Sequence, residues 1–258
     1  MKTKSILNVL AALAGALLLG ACSTVPAPPA EPLRVGFTPN YPPVCMERDG
    51  LPAGLEYDFA KALAKELGRP LEIVELPWAM QIEALLDNRT DIIMSGMTAT
   101  PARSARVRFC TPYMVNPLVA MCRAGEPATA VGPDELLATT ATVGVLARTS
   151  AEAYAQHHFP HARIVRLSAR GDAPLNLVNR RIDYYIDDFA AIANLLSDDE
   201  SDLDFLPYPL QGQNLCWAVR PDQDNFRHDC DKVIARWKES GELDRMLLRW
   251  MPYLESLR

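Results

Sequence analysis

The stretch GMTATPARSARVRF, Gly96 to Phe109, sets small and hydroxyl-bearing residues ahead of three arginines. Residues of these types suit the recognition of an anion. A carboxylate is held best by a planar, always-charged fork with parallel donors, which only Arg supplies. It also accepts hydrogen bonds from the free N–H groups of a helix start. Spacing alone leaves Arg103 open between such a clamp and a solvated charge on a first helical turn. Arg106 and Arg108 read as solvated charges. His157, His158 and His161, in HHFPH, have no Cys or carboxylate at ligand spacing and read as surface loop rather than metal site. Glu56 and Asp58 read as favourable charges near the positive end of a helix, not as a catalytic pair.

The elements that must position these residues follow from periodicity. LRVGF (33–37) is a short apolar strand, broken by NYPP. GLEYDFAKALAKELG has Leu55, Phe59, Ala62, Leu63 and Leu67 at helical spacing and stops at Gly68. LEIVEL is a strand, WAMQIEALLDNRT a helix and DIIMSG a strand. The rhythm restarts with ATVGVL, SAEAYAQHHF, ARIVRL, APLNLVNRR and IDYYID, again strand, helix, strand, helix, strand. LCWAVR then reads as one strand, followed by a long amphipathic run, NFRHDCDKVIARWKESGELDRMLLRWM. Such alternation predicts an α/β fold with mostly parallel sheets flanked by helices. Two similar halves predict two lobes about a cleft, with ligand outside the carboxyl ends of the strands.

The chain has 258 residues, enough for one large or two modest cores. Its net charge is -6 with no basic stripe, which argues against a nucleic-acid partner. MKTK and the 16-residue apolar run ILNVLAALAGALLLGA form a charged start and a core too short for a membrane span of about 20 residues. Residues 1–21 are therefore expected to be a signal peptide. LGAC, ending at Cys22, resembles the lipobox of bacterial lipoproteins, which implies cleavage before Cys22 and lipid on its sulfur and amine. The Pro-rich segment to Pro32 reads as a semi-rigid tether, giving a lipidated linker over 22–32 and a folded part from about Leu33. Ser23 resembles the pattern of lipoproteins sent to an outer membrane, if the host is Gram-negative. Removing Lys2 and Lys4 takes the charge from -6 to -8. Cys45, Cys110, Cys122, Cys216 and Cys230 remain, an odd number in a compartment that permits disulfides. Their spacings match no zinc pattern, and their pairing is open.

From Leu33 to Leu254 the chain resembles the polar-amino-acid-binding branch of bacterial solute-binding proteins, the two-lobed receptors of ABC importers. The resemblance rests on LRVGFTPNYPP, GLEYDFAKALAKELG, DIIMSGMTATPAR, TVGVLARTSAEAY, RIDYYIDD, WAVRPD and SGELDRMLLRWM, in order. It implies a type II periplasmic-binding-protein fold. Lobe one would hold 33–114 with 217–258 and lobe two 118–212, with hinges at 113–117 and 213–216. It implies that Arg103 clamps the α-carboxylate, with Gly96 and Thr98 offering backbone and hydroxyl groups. Thr149 and Ser150 stand where the second lobe binds the same carboxylate. Asp188 stands where the family holds the α-ammonium, and Asp187 points elsewhere if strand alternation holds. Tyr41 and Trp78 fall where aromatics sandwich the ligand. Thr38 replaces an Asp of relatives that bind cationic amino acids. Arg148 stands where the family has Gly, the clearest departure, and with Thr38 suggests a polar or acidic ligand. The implied protein is a lipid-anchored periplasmic monomer that passes an amino acid or small zwitterion to an ABC permease, with no cofactor or metal. Having no P-loop, the chain cannot itself supply the energy. The alternatives are a periplasmic cyclohexadienyl (prephenate/arogenate) dehydratase on the same fold, or a ligand-sensing receptor.

Overall fold

A computed structural model of the chain describes residues 30–125, 132–197 and 202–257. The signal peptide, Cys22 and the tether as far as residue 29 lie outside the described residues. The compact unit that carries both sheets begins at Pro32.

Each lobe is built on a five-stranded sheet with the same plan. In the first, the spatial order is Leu71–Glu75, Leu33–Phe37, Ile92–Ile93, Ala218–Val219, Arg108–Phe109. In the second it is Arg163–Leu167, Thr142–Leu146, Tyr184–Asp188, Leu118–Arg123, Leu203–Phe205. The first three strands of each sheet are parallel, and the fourth runs antiparallel to both its neighbours. The fold is therefore α/β and two-lobed.

Alternation along the strands divides the second core. Leu118, Ala120 and Cys122 enter one apolar cluster, while Val119 and Met121 enter another on the opposite face. Both faces are thus covered, which is why these strands read as continuous apolar runs rather than alternating ones. In the first lobe the helix Leu55–Glu66 buries Leu55, Phe59, Ala60, Leu63 and Ala64. Phe59 meets Tyr113, Trp217 and Trp237 there, with ring centroids 5.2 to 5.8 Å away.

Several elements differ from expectation. WAMQIEALLDNRT opens as a 3-10 turn, Trp78–Met80, before a short α-helix, Gln81–Leu86. Asn88 then takes a left-handed φ of 57°, which ends the helix early. LCWAVR is not one strand. Asn214–Leu215 pairs with Met114–Val115 in a two-stranded antiparallel ribbon, whereas Ala218–Val219 joins the first sheet. The C-terminal run is two helices, Asp224–Ser240 and Glu242–Trp250, divided at Gly241, whose left-handed φ of 72° favours Gly. The five described cysteines are buried free thiols.

Glu56 does more than favour a helix start. It is fully buried. Its Oε1 accepts from the Gly96 N–H at 2.8 Å and the Tyr113 hydroxyl at 2.7 Å, and Oε2 accepts from Trp217 Nε1 at 2.9 Å. Burial pushes its carboxyl up to about 7, against those three donors. Asp58 likewise accepts from Trp250 Nε1 at 2.7 Å and pairs with Lys61. Removing the Glu56 carboxylate strands three buried donors, so Glu56→Ala is expected to cost about 3 kcal/mol or more. Urea unfolding measures this, and a loss below about 1 kcal/mol would mean that the donors find other partners.

Candidate functional site

A cavity lies between the lobes, at the carboxyl ends of the strands Leu33–Phe37, Thr142–Leu146 and Tyr184–Asp188. The first lobe lines it with Asn40, Tyr41, Trp78, Gly96, Thr98 and Arg103, beside Ser95. The second lines it with Leu146, Thr149, Ser150, Arg170 and Asp188. Tyr41, Trp78, Gly96, Thr98, Arg103, Thr149, Ser150 and Asp188, all named from sequence, therefore meet around one space.

Arg103 sits in a single helical turn, Pro101–Ser104, that Thr100 caps by accepting the Arg103 N–H at 3.3 Å. Pro101 opens that turn, where a missing N–H costs nothing. The Arg103 side chain donates from Nη1 to the Thr98 carbonyl at 2.9 Å and stacks over the Trp78 ring at 5.1 Å. Partial burial lowers its basicity and Asp188 opposes the change, but a guanidinium stays charged.

Gly96 serves the cavity through the side chain it lacks. Its φ is 64°, and a Cβ there would come within 2.7 Å of the Tyr41 ring. Its N–H is committed to Glu56 and so is not offered to a ligand. The Thr98 hydroxyl donates to Gln213 Oε1 at 2.9 Å, and the Ser150 hydroxyl donates to the same oxygen at 2.6 Å. Thr149 caps the helix Ser150–His158 by accepting the Glu152 N–H, and its own hydroxyl donates to the Leu146 carbonyl at 2.7 Å. The first turn of that helix therefore brings free N–H groups to the cavity edge.

Asp188 ends its strand and is 6% exposed. Oδ2 accepts from the Tyr41 hydroxyl at 2.9 Å, and Oδ1 is buried with no partner. Burial first, then the Asp187 charge, push its carboxyl up to about 7, while Arg170, the Tyr41 hydrogen bond and Arg103 act against them. Asp187 points away, as alternation requires. It accepts from Arg170 Nε at 2.8 Å, from the Tyr185 hydroxyl at 2.7 Å and from the Asp188 N–H at 2.9 Å.

Two residues named from sequence as ligand side-chain contacts do not line the cavity. Thr38 is buried, and its hydroxyl donates to the Leu76 carbonyl at 2.8 Å and accepts from Gln81 Nε2 at 2.7 Å. Arg148 is exposed, with a left-handed φ of 63° and its N–H on Glu152 Oε2 at 2.6 Å. What it gives the site is its carbonyl, which accepts from Trp78 Nε1 of the other lobe at 3.0 Å. A left-handed backbone of this kind is one that glycine adopts without strain.

Sequence reasoning missed Arg170, Asn40, Ser95 and Leu146 in the lining, and Gln213 and Asn116 behind it. Arg170 lies in the loop between the strand Arg163–Leu167 and the helix Asp172–Val178. Loops at that end of an α/β sheet carry ligand contacts, which was the available signal.

A non-glycine residue in the left-handed region carries about 1 kcal/mol of strain. Arg148→Gly is therefore expected to leave stability unchanged or raise it by up to about 1 kcal/mol, and Arg148→Val to lower it by about 1–2 kcal/mol. Thermal unfolding reads both. A marked loss in the glycine variant would mean that the Arg148 side chain, not its backbone, matters to the fold.

Comparison with known proteins agrees with this geometry. The family model for bacterial extracellular solute-binding proteins, family 3, matches residues 33–253. ABC transporter arginine-binding protein 1 of Escherichia coli K12 is 26% identical over 254 residues, covering 95% of this chain and 98% of that protein. The lysine complex of a binding component of an ABC transporter from Wolinella succinogenes superposes with a TM-score of 0.80 at 28% identity, over 85% of this chain and 95% of the other. An ancestral amino acid-binding protein described as a precursor of cyclohexadienyl dehydratase gives 0.76 at 28% identity, over 85% and 95%. With two lobes meeting at a cavity that holds an arginine fork and a half-satisfied carboxylate, and a family match spanning nearly the whole folded part, the chain belongs to the bacterial extracellular solute-binding proteins, family 3.

Proposed function

We propose that this protein captures a small α-amino acid between its lobes on the extracytoplasmic side of a bacterial membrane and delivers it to the permease of an ABC importer. The observation that carries this reading is Asp188 Oδ1, a buried carboxylate oxygen without a partner, on a residue that lines the same cavity as Arg103. A buried unpaired acceptor is costly, and an ammonium group would remove that cost. Arg103 answers the α-carboxylate, joined by the first-turn N–H groups of the helix Ser150–His158. Burying both ionised ends of a zwitterion is tolerable because each is paired and hydrogen-bonded. The amino-acid-binding relatives support the ligand class.

In this reading the ligand docks on lobe one, 33–114 with 217–258, and lobe two, 118–212, closes over it. The crossovers 113–117 and 213–216, which pair as Val115 with Asn214 and Met114 with Leu215, absorb the rotation. A lipid on Cys22 and the tether to residue 32 keep the receptor at its membrane as a monomer, on the outer membrane if the host is Gram-negative.

Asp188 also sets a pH dependence. Its carboxyl is raised to about 7, so its protonated form favours the unliganded protein, and that advantage is lost as pH rises through about 7. Pairing with ammonium needs the ionised form. Affinity is therefore expected to be full at pH 8 and to fall by up to about tenfold per pH unit below about 6. Arg103→Ala and Asp188→Asn are each expected to weaken binding by about 30-fold or more, and the second to flatten the pH profile. Calorimetry over a panel of amino acids at pH 5.5 and 8 measures all three, and full affinity in Arg103→Ala would refute the clamp.

A second reading, a periplasmic prephenate or arogenate dehydratase, is favoured by the same carboxyl. A group near 7, in a cavity with two guanidinium groups, can give a proton to a leaving hydroxyl. Incubation with prephenate is expected to yield no phenylpyruvate, and turnover above the uncatalysed rate would replace pure binding with catalysis.

A further inference from the structure

Arg170 was not foreseen from the sequence, yet its surroundings bear directly on what the cavity can accept. Its side chain is 12% exposed, lines the cavity and stacks over the Tyr41 ring at 4.1 Å. Arg103 covers the Trp78 ring in the same way at 5.1 Å. Tyr41 and Trp78 are the aromatics that line the cavity among the described residues, and each already faces a guanidinium of this chain. A cationic ligand side chain gains most from an aromatic face when that face is free. Here it would meet two like charges as well.

The acids cannot compensate. Among the described residues, Asp188 is the one acidic side chain lining the cavity, and its open oxygen suits the α-ammonium. Asp187 has both oxygens occupied, by Arg170, Tyr185 and the Asp188 N–H. Thr38 does not line the cavity and spends its hydroxyl inside lobe one. A second ligand cation would therefore be buried unpaired, which is strongly unfavourable.

Arg170 has donors to spare. Nε binds Asp187, Nη1 reaches the Asn40 carbonyl at 3.3 Å, and Nη2 has no partner among the described residues. Asp187 fixes the guanidinium from behind, so its outer edge is held in place at little further entropic cost. That edge matches a group with two acceptor oxygens.

We propose that Arg170 selects the ligand: the site takes an α-amino acid whose side chain ends in a carboxylate, with a carboxamide next, and rejects cationic side chains. This inference rests on the amino-acid reading above and separates the protein from the arginine-binding and lysine-complexed relatives. Calorimetry with glutamate, aspartate, glutamine, alanine, arginine and lysine tests it on the full folded chain. Glutamate or aspartate is expected to bind about tenfold or more tighter than alanine, with arginine and lysine weakest. In Arg170→Ala the ratio of acidic-ligand affinity to alanine affinity is expected to fall about tenfold, and in Arg170→Lys to recover in part. The ratio is read because closure itself can weaken in both variants. Arginine or lysine binding as tightly as glutamate, or a ratio unchanged in Arg170→Ala, would overturn this inference and leave the amino-acid reading standing. Failure of every amino acid to bind would overturn both.

Discussion

The Tyr41 hydroxyl donates to Asp188 Oδ2 at 2.9 Å, and that bond joins one lobe to the other. Its direction is fixed by what surrounds it. The Ala190 N–H can only donate, so the oxygen of the Asn116 amide must face it, at 3.2 Å. The Asn116 NH2 group then faces Tyr41, whose oxygen accepts at 2.7 Å. With that side occupied by a donor, the phenolic hydrogen turns to Asp188. One carboxylate oxygen is thereby satisfied from within the protein and the other left bare. The network spans lobe one, the crossover and lobe two, so the surroundings of Asp188 are built by both lobes.

Comparing two of the buried carboxylates separates scaffold from site. Glu56 and Asp188 are both raised to about 7 by burial, the second also by Asp187. Glu56 accepts from Gly96, Tyr113 and Trp217, which ties the glycine beneath the cavity to the start of the crossover. With both oxygens engaged, its pairing is complete inside lobe one. Asp188 has the same elevated carboxyl with one oxygen unmatched. A perturbed acid marks a site only when its hydrogen-bond inventory is incomplete, and here that inventory distinguishes the two.

Much of this was legible in the sequence, and what was not has physical reasons. The repeated strand–helix rhythm yields both sheets because each strand is a compact apolar run bounded by breakers. LCWAVR misleads because apolar character reports burial and not partner. Leu215 bonds across the crossover and Ala218 within the sheet, and both are fully buried. Arg103 is readable through its motif and the helix start around it. Arg170 is not, because its value lies in Tyr41 and Asn40 of the opposite lobe, which no local spacing encodes. Arg148 reads as a pocket cation from its type, whereas the backbone decides its role. Its left-handed conformation accompanies an outward side chain and a carbonyl bonded across the cleft.

That carbonyl connects the departure from the family pattern to the arginine clamp. Arg103 is held from lobe one by the Thr98 carbonyl, and its flat face rests on Trp78. The Trp78 indole in turn donates to Arg148 of lobe two. If the lobes part as proposed, the guanidinium keeps its bond to Thr98, but the ring beneath it loses its anchor. In the proposed mechanism the fork is thus half preformed in the open protein and completed on closure. A ligand held by Arg103 gains from closure even where lobe two never touches its carboxylate, because ordering the donor lowers the entropy cost of each hydrogen bond it makes. The peptide unit suffices for this, so any residue that tolerates the left-handed turn at 148 can support the clamp, and glycine does so with least strain.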